Sequence, residues 1–324
     1  MLDTLLLLAL PASGKSELRR YLDHLSPEIR RDQCHLGELA QLDDFPYVHF
    51  MRMVDENLRA LGEPMRFYMG ENTGFLEPRD WGTLLRLVND DYAVLAAEAP
   101  TPQANPMQIF ARIDKARSLV GAPIAFENMT SDLRNELATR LQGEAERLTS
   151  ELFGARPQSL DGRTLIIEFA RGGSEGASMP LHPPHGYAYA LAQLSPEILK
   201  NAGVLYIWVD PEESRRKNLA RANPDDPGSI LHHSAPDSVM RNDYGCDDMA
   251  YLIETSSQTD TIQITREEGV FHLPVARFDN RVDRTSFIRD DPDTWSASDV
   301  DSLHSDLMGA FARLQDAYDV THKG

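Results

Sequence analysis

The sequence predicts an α/β protein: a mostly parallel sheet with helices on both faces. Three observations carry that prediction. Short aliphatic runs at Leu5–Leu10, Thr164–Ala170 and Val204–Asp210 read as strands buried on both sides. Stretches with helical spacing of apolar residues alternate with them. The first run, its small-residue turn and the helix after it together make the start of a βα unit.

Taken in order, Leu5–Leu10 is too short for a helix and closes at Pro11. Ser16–Leu25 follows as a helix, with Leu18, Tyr21, Leu22 and Leu25 on one apolar face. Beyond the polar elbow at Asp43, Asp44 and Pro46, helical patterning covers Tyr47–Leu61, about Arg79 to Ala97, Met107–Leu119 and Ser131–Leu152. This middle portion, about residues 47–155, is expected to be a helical insertion or lid, and no repeat is recognised in it. Thr164–Ala170 is the second strand, and the glycine-rich loop RGGSEGASMPLHPPHG follows it. Val204–Asp210 is the third strand and runs directly into PEESRRKNLARAN, a lid-like helix at about 211–223. Thr261–Thr265 and Val270–Ala276 read as two more strands, and Ser298–Tyr318 closes the chain as an amphipathic helix capped by Ser298. The expectation is one domain over residues 1–324.

The composition bounds the function. With 41% hydrophobic and 26% charged residues, the chain is ordinary for a globular protein with a real core. A formal charge of -19 argues against bulk binding to nucleic acid or anionic lipid, though a local basic pocket is compatible with it. The two cysteines, Cys34 and Cys246, make neither a disulfide framework nor a zinc site, and the expected location is the cytoplasm. The apolar run near the start lacks a basic flank and the length of a secretory h-region, and no stretch reaches the ~20 residues of a membrane span.

In open α/β sheets, ligands sit beyond the carboxyl ends of the strands, so the turns after Leu10, Ala170 and Asp210 are where chemistry is expected. The first has the frame of a phosphate-binding loop. Ala9, Leu10, Pro11, Ala12, Ser13, Gly14, Lys15 and Ser16 occupy G-x-x-x-x-G-K-[ST], with alanine replacing the first glycine. Inward-turned N–H groups and the following helix N-terminus suit an anion; Lys15 suits terminal phosphates and the Ser16 hydroxyl suits Mg2+.

This stretch resembles the G-L-P-G-S-G-K-S loop of P-loop kinases, matching at Leu10, Pro11, Ser13, Gly14, Lys15 and Ser16. Ala9 and Ala12 stand where that family usually has glycine. The resemblance implies a three-layer α/β/α P-loop fold, ATP with Mg2+, and transfer of the γ-phosphate to a small-molecule or nucleotide acceptor. No NKxD-type tetrapeptide or LSGGQ signature is present, which points away from GTPases and transporter ATPases. The kinase-like branch places an acceptor-orienting acid about one βα unit after the loop, which picks out Asp43 and Asp44. The end of LIIEFARGG supplies Glu168 for Mg2+ and Arg171 for charge on the transferring group. Arg215, Arg216, Lys217 and Arg221 are candidate lid cations, with Lys217 and Arg221 on one helix face. In VARFDNRVDRTSF, Asn280 and Asp283 are candidate contacts to the nucleotide base.

Each candidate has a structural reading beside it: Asp44 as a helix N-cap, the basic helix as a solvated face, the last loop as a strand exit. His182, His185, His232 and His233 lack converging metal partners, and triad hydrolysis is not expected. Phe67–Trp81 is either a wall of the acceptor site or a packed loop. The alternative to a kinase is a nucleotide-dependent ATPase or switch acting on a protein partner, or a binding-only P-loop protein. A deep pocket lined by Asp43 and Arg79 favours the kinase.

Overall fold

The computed structural model describes residues 1–220 and 234–323. Its elements run β1 (Thr4–Leu8), α1 (Lys15–His24), α2 (Pro27–Gln33) and β2 (Glu38–Asp43). A helical block follows: α3 (Phe45–Ala60), α4 (Asp80–Ala96), α5 (Pro106–Leu119), α6 (Ser131–Arg140) and α7 (Gln142–Phe153). Then come β3 (Arg163–Phe169), α8 (Gly186–Leu191), α9 (Pro196–Asn201), β4 (Ala202–Trp208) and α10 (Pro211–Ala220). The chain ends with α11 (Asp237–Asn242), α12 (Met249–Thr255), β5 (Thr261–Arg266), β6 (Gly269–Asp279) and α13 (Ala297–Lys323).

The six strands form one sheet in the order β2-β3-β1-β4-β6-β5, parallel throughout except for β5, which runs antiparallel to β6 at one edge. Side chains alternate across β1 as strand geometry requires. Leu5, Leu7 and Ala9 join the core under α1 and α13, where Leu18, Leu22, Leu307, Phe311 and Leu314 pack. Leu6, Leu8 and Leu10 join the core on the other face, with Phe50, Leu84, Phe110 and Leu148 of the helical block. That two-sided burial is why β1, β3 and β4 read as uninterrupted apolar runs. Among the described residues, no helix is long and apolar enough to cross a membrane.

Three differences from the sequence reading have physical causes. β2 was not foreseen as a strand because it is an edge strand that alternates exposed and buried residues. The single helix expected over Ser131–Leu152 breaks at Leu141 (φ -93°, ψ 7°), with Gly143 just beyond it. The last helix is capped by Ser296 and not Ser298: the Asp299 N–H donates to Ser296 Oγ at 3.2 Å.

The helical block does contain a repeat. Asp55, Gly62, Pro64 and Phe67 recur with the same spacing as Asp114, Gly121, Pro123 and Phe126. Both glycines are left-handed, at φ 77° and 74°. They close α3 and α5 with the same paired bonds, Gly62 N–H to Arg59 O with Glu63 N–H to Leu58 O, and Gly121 N–H to Ser118 O with Ala122 N–H to Arg117 O. Each aspartate then turns back onto the loop that follows. The Asp55 carboxyl accepts from the N–H groups of Arg66, Phe67 and Tyr68. The Asp114 carboxyl accepts from those of Ala125, Phe126 and Glu127. Phe67 and Phe126 pack against each other, ring centroids 5.8 Å apart.

Candidate functional site

The chain leaves β1 toward β2 on one side of the sheet and later reaches β4 on the other, so β1 lies at the point where the winding changes direction. At its carboxyl end the Ala9–Ser16 turn wraps into α1. Ala12 has φ 57° and Gly14 φ 103°, so left-handed residues alternate with ordinary ones, the backbone pattern of an anion nest. Only glycine suits position 14: a Cβ there would lie 2.5 Å from Thr285 Oγ1 and 2.9 Å from Asn280 Nδ2.

The carbonyls of this turn are held from outside it. Ala9 O accepts from the Tyr187 hydroxyl at 2.9 Å and from Lys15 Nζ at 3.4 Å. Pro11 O accepts from Ser214 Oγ at 2.7 Å. Ser13 O accepts from Asn280 Nδ2 at 2.8 Å. The N–H groups of Ala12, Ser13 and Gly14 donate to no other described residue. A turn with three carbonyls engaged elsewhere, and three N–H groups bonded to no other described residue, favours negative charge, and the α1 N-terminus adds to that preference. The residues present therefore fit a phosphate group.

Beside the turn is a cavity of about 160 Å3. Pro11–Ser16, Asp43, Asp44, Glu168 and Arg171 line it; Ala9 and Leu10 are buried below it in the two cores. Asp43 and Glu168 end up side by side because β2 and β3 pair in parallel with those two residues in register. Burial, then the negative charges of Glu168 and Asp44, push the Asp43 carboxyl well above the usual carboxylate range. Its Oδ1 accepts the Phe45 N–H at 2.8 Å, so Asp43 and not Asp44 supplies the bond at the start of α3. Glu168 is paired with Arg19 of α1 at 2.9 Å.

Asp44 makes a buried ion pair with Arg171 at 2.7 Å. Arg171 also donates to Trp81 O and Ala170 O and lies between the rings of Trp81 and Phe169. Among the described residues no group of three or more His, Cys, Asp or Glu is placed to hold a metal ion. A Mg2+ completed by phosphate oxygens and water needs only one or two protein ligands, and Ser16 and Glu168 share the cavity wall.

The structure places the remaining described candidates away from the cavity. On α10, Arg215 pairs with Glu175, Arg216 with Glu213 and Asp283, and Lys217 with Asp283 at 3.0 Å. None of the three lines the cavity, because Lys217 is turned into the fold and acids neutralise the other two. Arg221, His232 and His233 lie outside the described residues. Asn280 is fully buried and spends its side chain on Ser13 O, Thr285 and the Arg284 N–H, so it braces the turn and is not placed to contact a base. Burial pushes the Asp283 carboxyl up, but hydrogen bonding and charge from Lys217 outweigh it and hold the group below its usual range. Arg79 is held by Glu77 and Gly121 O, away from the cavity.

The run Gly172–Gly176 does have G-x-S-x-G spacing just after β3, a pattern not recognised above. The context of a nucleophile elbow is missing: no helix follows, and the Ser174 hydroxyl donates to Asn242 O. His182 sits on an exposed loop with its Nδ1 at Pro183 O.

Sequence reasoning missed Tyr187, Ser214 and Arg19, whose roles depend on contacts distant in sequence. It also missed the far wall of the cavity: Val48 and Arg52 of α3, and Ala235, Pro236 and Val239 around α11. Searched against family models, curated proteins and solved structures, the chain matches none.

Proposed function

We propose that the chain is a P-loop phosphotransferase that moves the γ-phosphate of ATP to a small-molecule hydroxyl. The observation that carries this reading is the Ala9–Ser16 turn, with the carbonyls of Ala9, Pro11 and Ser13 held from outside by Tyr187, Ser214 and Asn280, and the N–H groups of Ala12, Ser13 and Gly14 donating to no other described residue. Sheet order supports it too, since the turn sits where the winding changes direction, next to the strand bearing Glu168.

In this reading the nest and the α1 N-terminus bind and orient the phosphates, and Lys15 balances charge on the γ-phosphoryl group. Ser16 and Glu168 would hold Mg2+, which supplies further charge neutralisation when bound. The acceptor oxygen forms a bond to the γ-phosphorus while the bond from that phosphorus to the bridging oxygen breaks, releasing ADP. The acceptor proton passes to the Asp43 carboxylate and then to water. The Asp44–Arg171 pair keeps the Asp43 side of the cavity fixed.

A cavity beside the turn favours transfer to a small molecule over a switch working through a flat exposed face. The test is transfer of labelled γ-phosphate from ATP·Mg into a pooled metabolite extract, wild type beside Lys15→Ala. A labelled product made by wild type alone is expected. Release of free phosphate with no labelled product overturns the acceptor reading, and equal transfer by Lys15→Ala overturns the site.

A further inference from the structure

The cavity has two unlike ends, and the far end bears on what the acceptor is. Near the turn its lining is polar: Lys15, Ser16, Asp43, Glu168 and the Asp44–Arg171 pair. The opposite end is built from Val48, Tyr68, Phe75, Trp81, Val239 and Tyr244. Four of these are aromatic and touch in sequence. Tyr68 stacks on Phe75 at 4.8 Å, Phe75 meets Trp81 edge-on at 4.7 Å, and Trp81 meets Tyr244 edge-on at 5.5 Å. Such a wall offers ring edges and apolar surface, which complement the π face of another ring.

Charge argues in the same direction. Beyond Lys15 the lining cations are Arg52 and Arg171. Arg171 is engaged by Asp44, Trp81 O and Ala170 O. Arg52 donates to Glu71 O at 3.1 Å, and its guanidinium lies 4.0 Å from the Tyr68 ring centroid. Arg171 presents no open fork to a phosphate on the acceptor, and Arg52 is turned onto the Tyr68 ring. Of the acids in the same lining, Glu17 pairs with Arg289, Asp44 with Arg171 and Glu168 with Arg19, so Asp43 is the carboxyl a second anion would face. Nor does the far end suit a polyol, which needs many hydrogen-bonding groups. The Tyr244 hydroxyl there makes no hydrogen bond to another described residue. Size sets the last limit: the whole cavity, its polar end included, is about 160 Å3, close to the ~150 Å3 that accepts one benzene, so the far end takes no more than a single ring.

Resting on the kinase reading above, we propose that the acceptor is an uncharged molecule with a single flat ring and a hydroxyl-bearing arm. The ring seats against Phe75, Trp81 and Tyr244, and the hydroxyl reaches Asp43. Nucleoside monophosphates and sugars are the wrong class for this cavity.

Saturation-transfer NMR on the full chain tests this with benzyl alcohol, benzyl phosphate and glucose as probes. A fluorescent ATP analogue is titrated in parallel. Two variants fill the far end from half-buried positions, Ala235→Trp and Val48→Phe, so a folding failure in one leaves the other. Benzyl alcohol is expected to bind in preference to the other two probes. Either variant should weaken it at least tenfold while changing binding of the ATP analogue less than twofold. Benzyl phosphate or glucose binding as well as benzyl alcohol overturns the proposal, as does benzyl alcohol binding unaffected in a folded variant. ATP-analogue binding without ring binding overturns this inference alone. Ring binding by a protein that binds no ATP analogue overturns the kinase reading and the acceptor role together.

Discussion

Ser214→Ala isolates one of the bonds that shape the Ala9–Ser16 turn. Ser214 is fully buried on α10, and its hydroxyl donates to Pro11 O at 2.7 Å. The only other donor to that carbonyl among the described residues is Ser13 Oγ at 3.4 Å, a much weaker bond. Alanine removes a single oxygen and leaves almost no cavity, so the loss is that of a buried acceptor deprived of its main partner, about 1–3 kcal/mol. At about 2–4 °C per kcal/mol for chains of roughly 150–250 residues, and less for a longer one, the melting temperature should fall by about 2–6 °C. The turn should also bind phosphate less well, because the freed Pro11 carbonyl can rotate toward the cavity and oppose an anion. Urea melts give the stability change, and titration with a fluorescent ATP analogue gives the affinity. A stability change within about 0.5 kcal/mol, the range of an ordinary surface substitution, together with unchanged affinity, would refute the claim that outside donors hold this turn open.

Further outcomes follow from other contacts. Ala12→Gly removes a Cβ from a left-handed residue at φ 57°, which relieves about 1–2 kcal/mol against up to about 1 kcal/mol of added unfolded-state entropy. The urea midpoint should therefore rise slightly, and a clear fall would contradict that backbone. Asp55→Asn leaves one oxygen where two now accept from Arg66, Phe67 and Tyr68. Stability should drop by about 2 kcal/mol, with faster hydrogen exchange at those three amides; unchanged exchange would contradict the anchor. Asp243 makes no side-chain hydrogen bond to another described residue, and burial raises its carboxyl to about 6. Because the folded value lies above the unfolded one, its stabilising contribution is complete below about pH 4 and is lost as the pH rises through about 6. Asp243→Asn should therefore be more stable than wild type at pH 8, by up to about 3 kcal/mol, and similar at pH 4. Equal melting at pH 8 would show that the carboxyl is hydrated in the folded protein.

Legibility in the sequence followed locality. The Ala9–Ser16 turn lies within consecutive residues after a doubly buried strand, so its apolar run, GKS and helix were visible together. The donors that hold it were not, since Tyr187, Ser214 and Asn280 stand 178, 203 and 267 residues from their acceptors. Asp43 and Glu168 were each picked out at the end of an element, but their adjacency is a matter of β2–β3 register, which no single segment encodes. The pairing of the basic run on α10 was not legible because its acids are mostly remote: Glu175 and Asp283 come from other loops and pair with cations that in sequence look available for a ligand. The helical repeat escaped notice because its identities are few; what is duplicated is a left-handed glycine cap and a carboxylate turned back on the next loop.

The central claim is that the Ala9–Ser16 turn binds the phosphates of ATP. Isothermal titration of the full chain with ATP·Mg, wild type beside Lys15→Ala, tests it most directly. Saturable one-to-one binding by wild type, weakened at least tenfold in a Lys15→Ala protein that remains folded, is the predicted result. No binding by wild type, or equal affinity in the two proteins, would contradict the account.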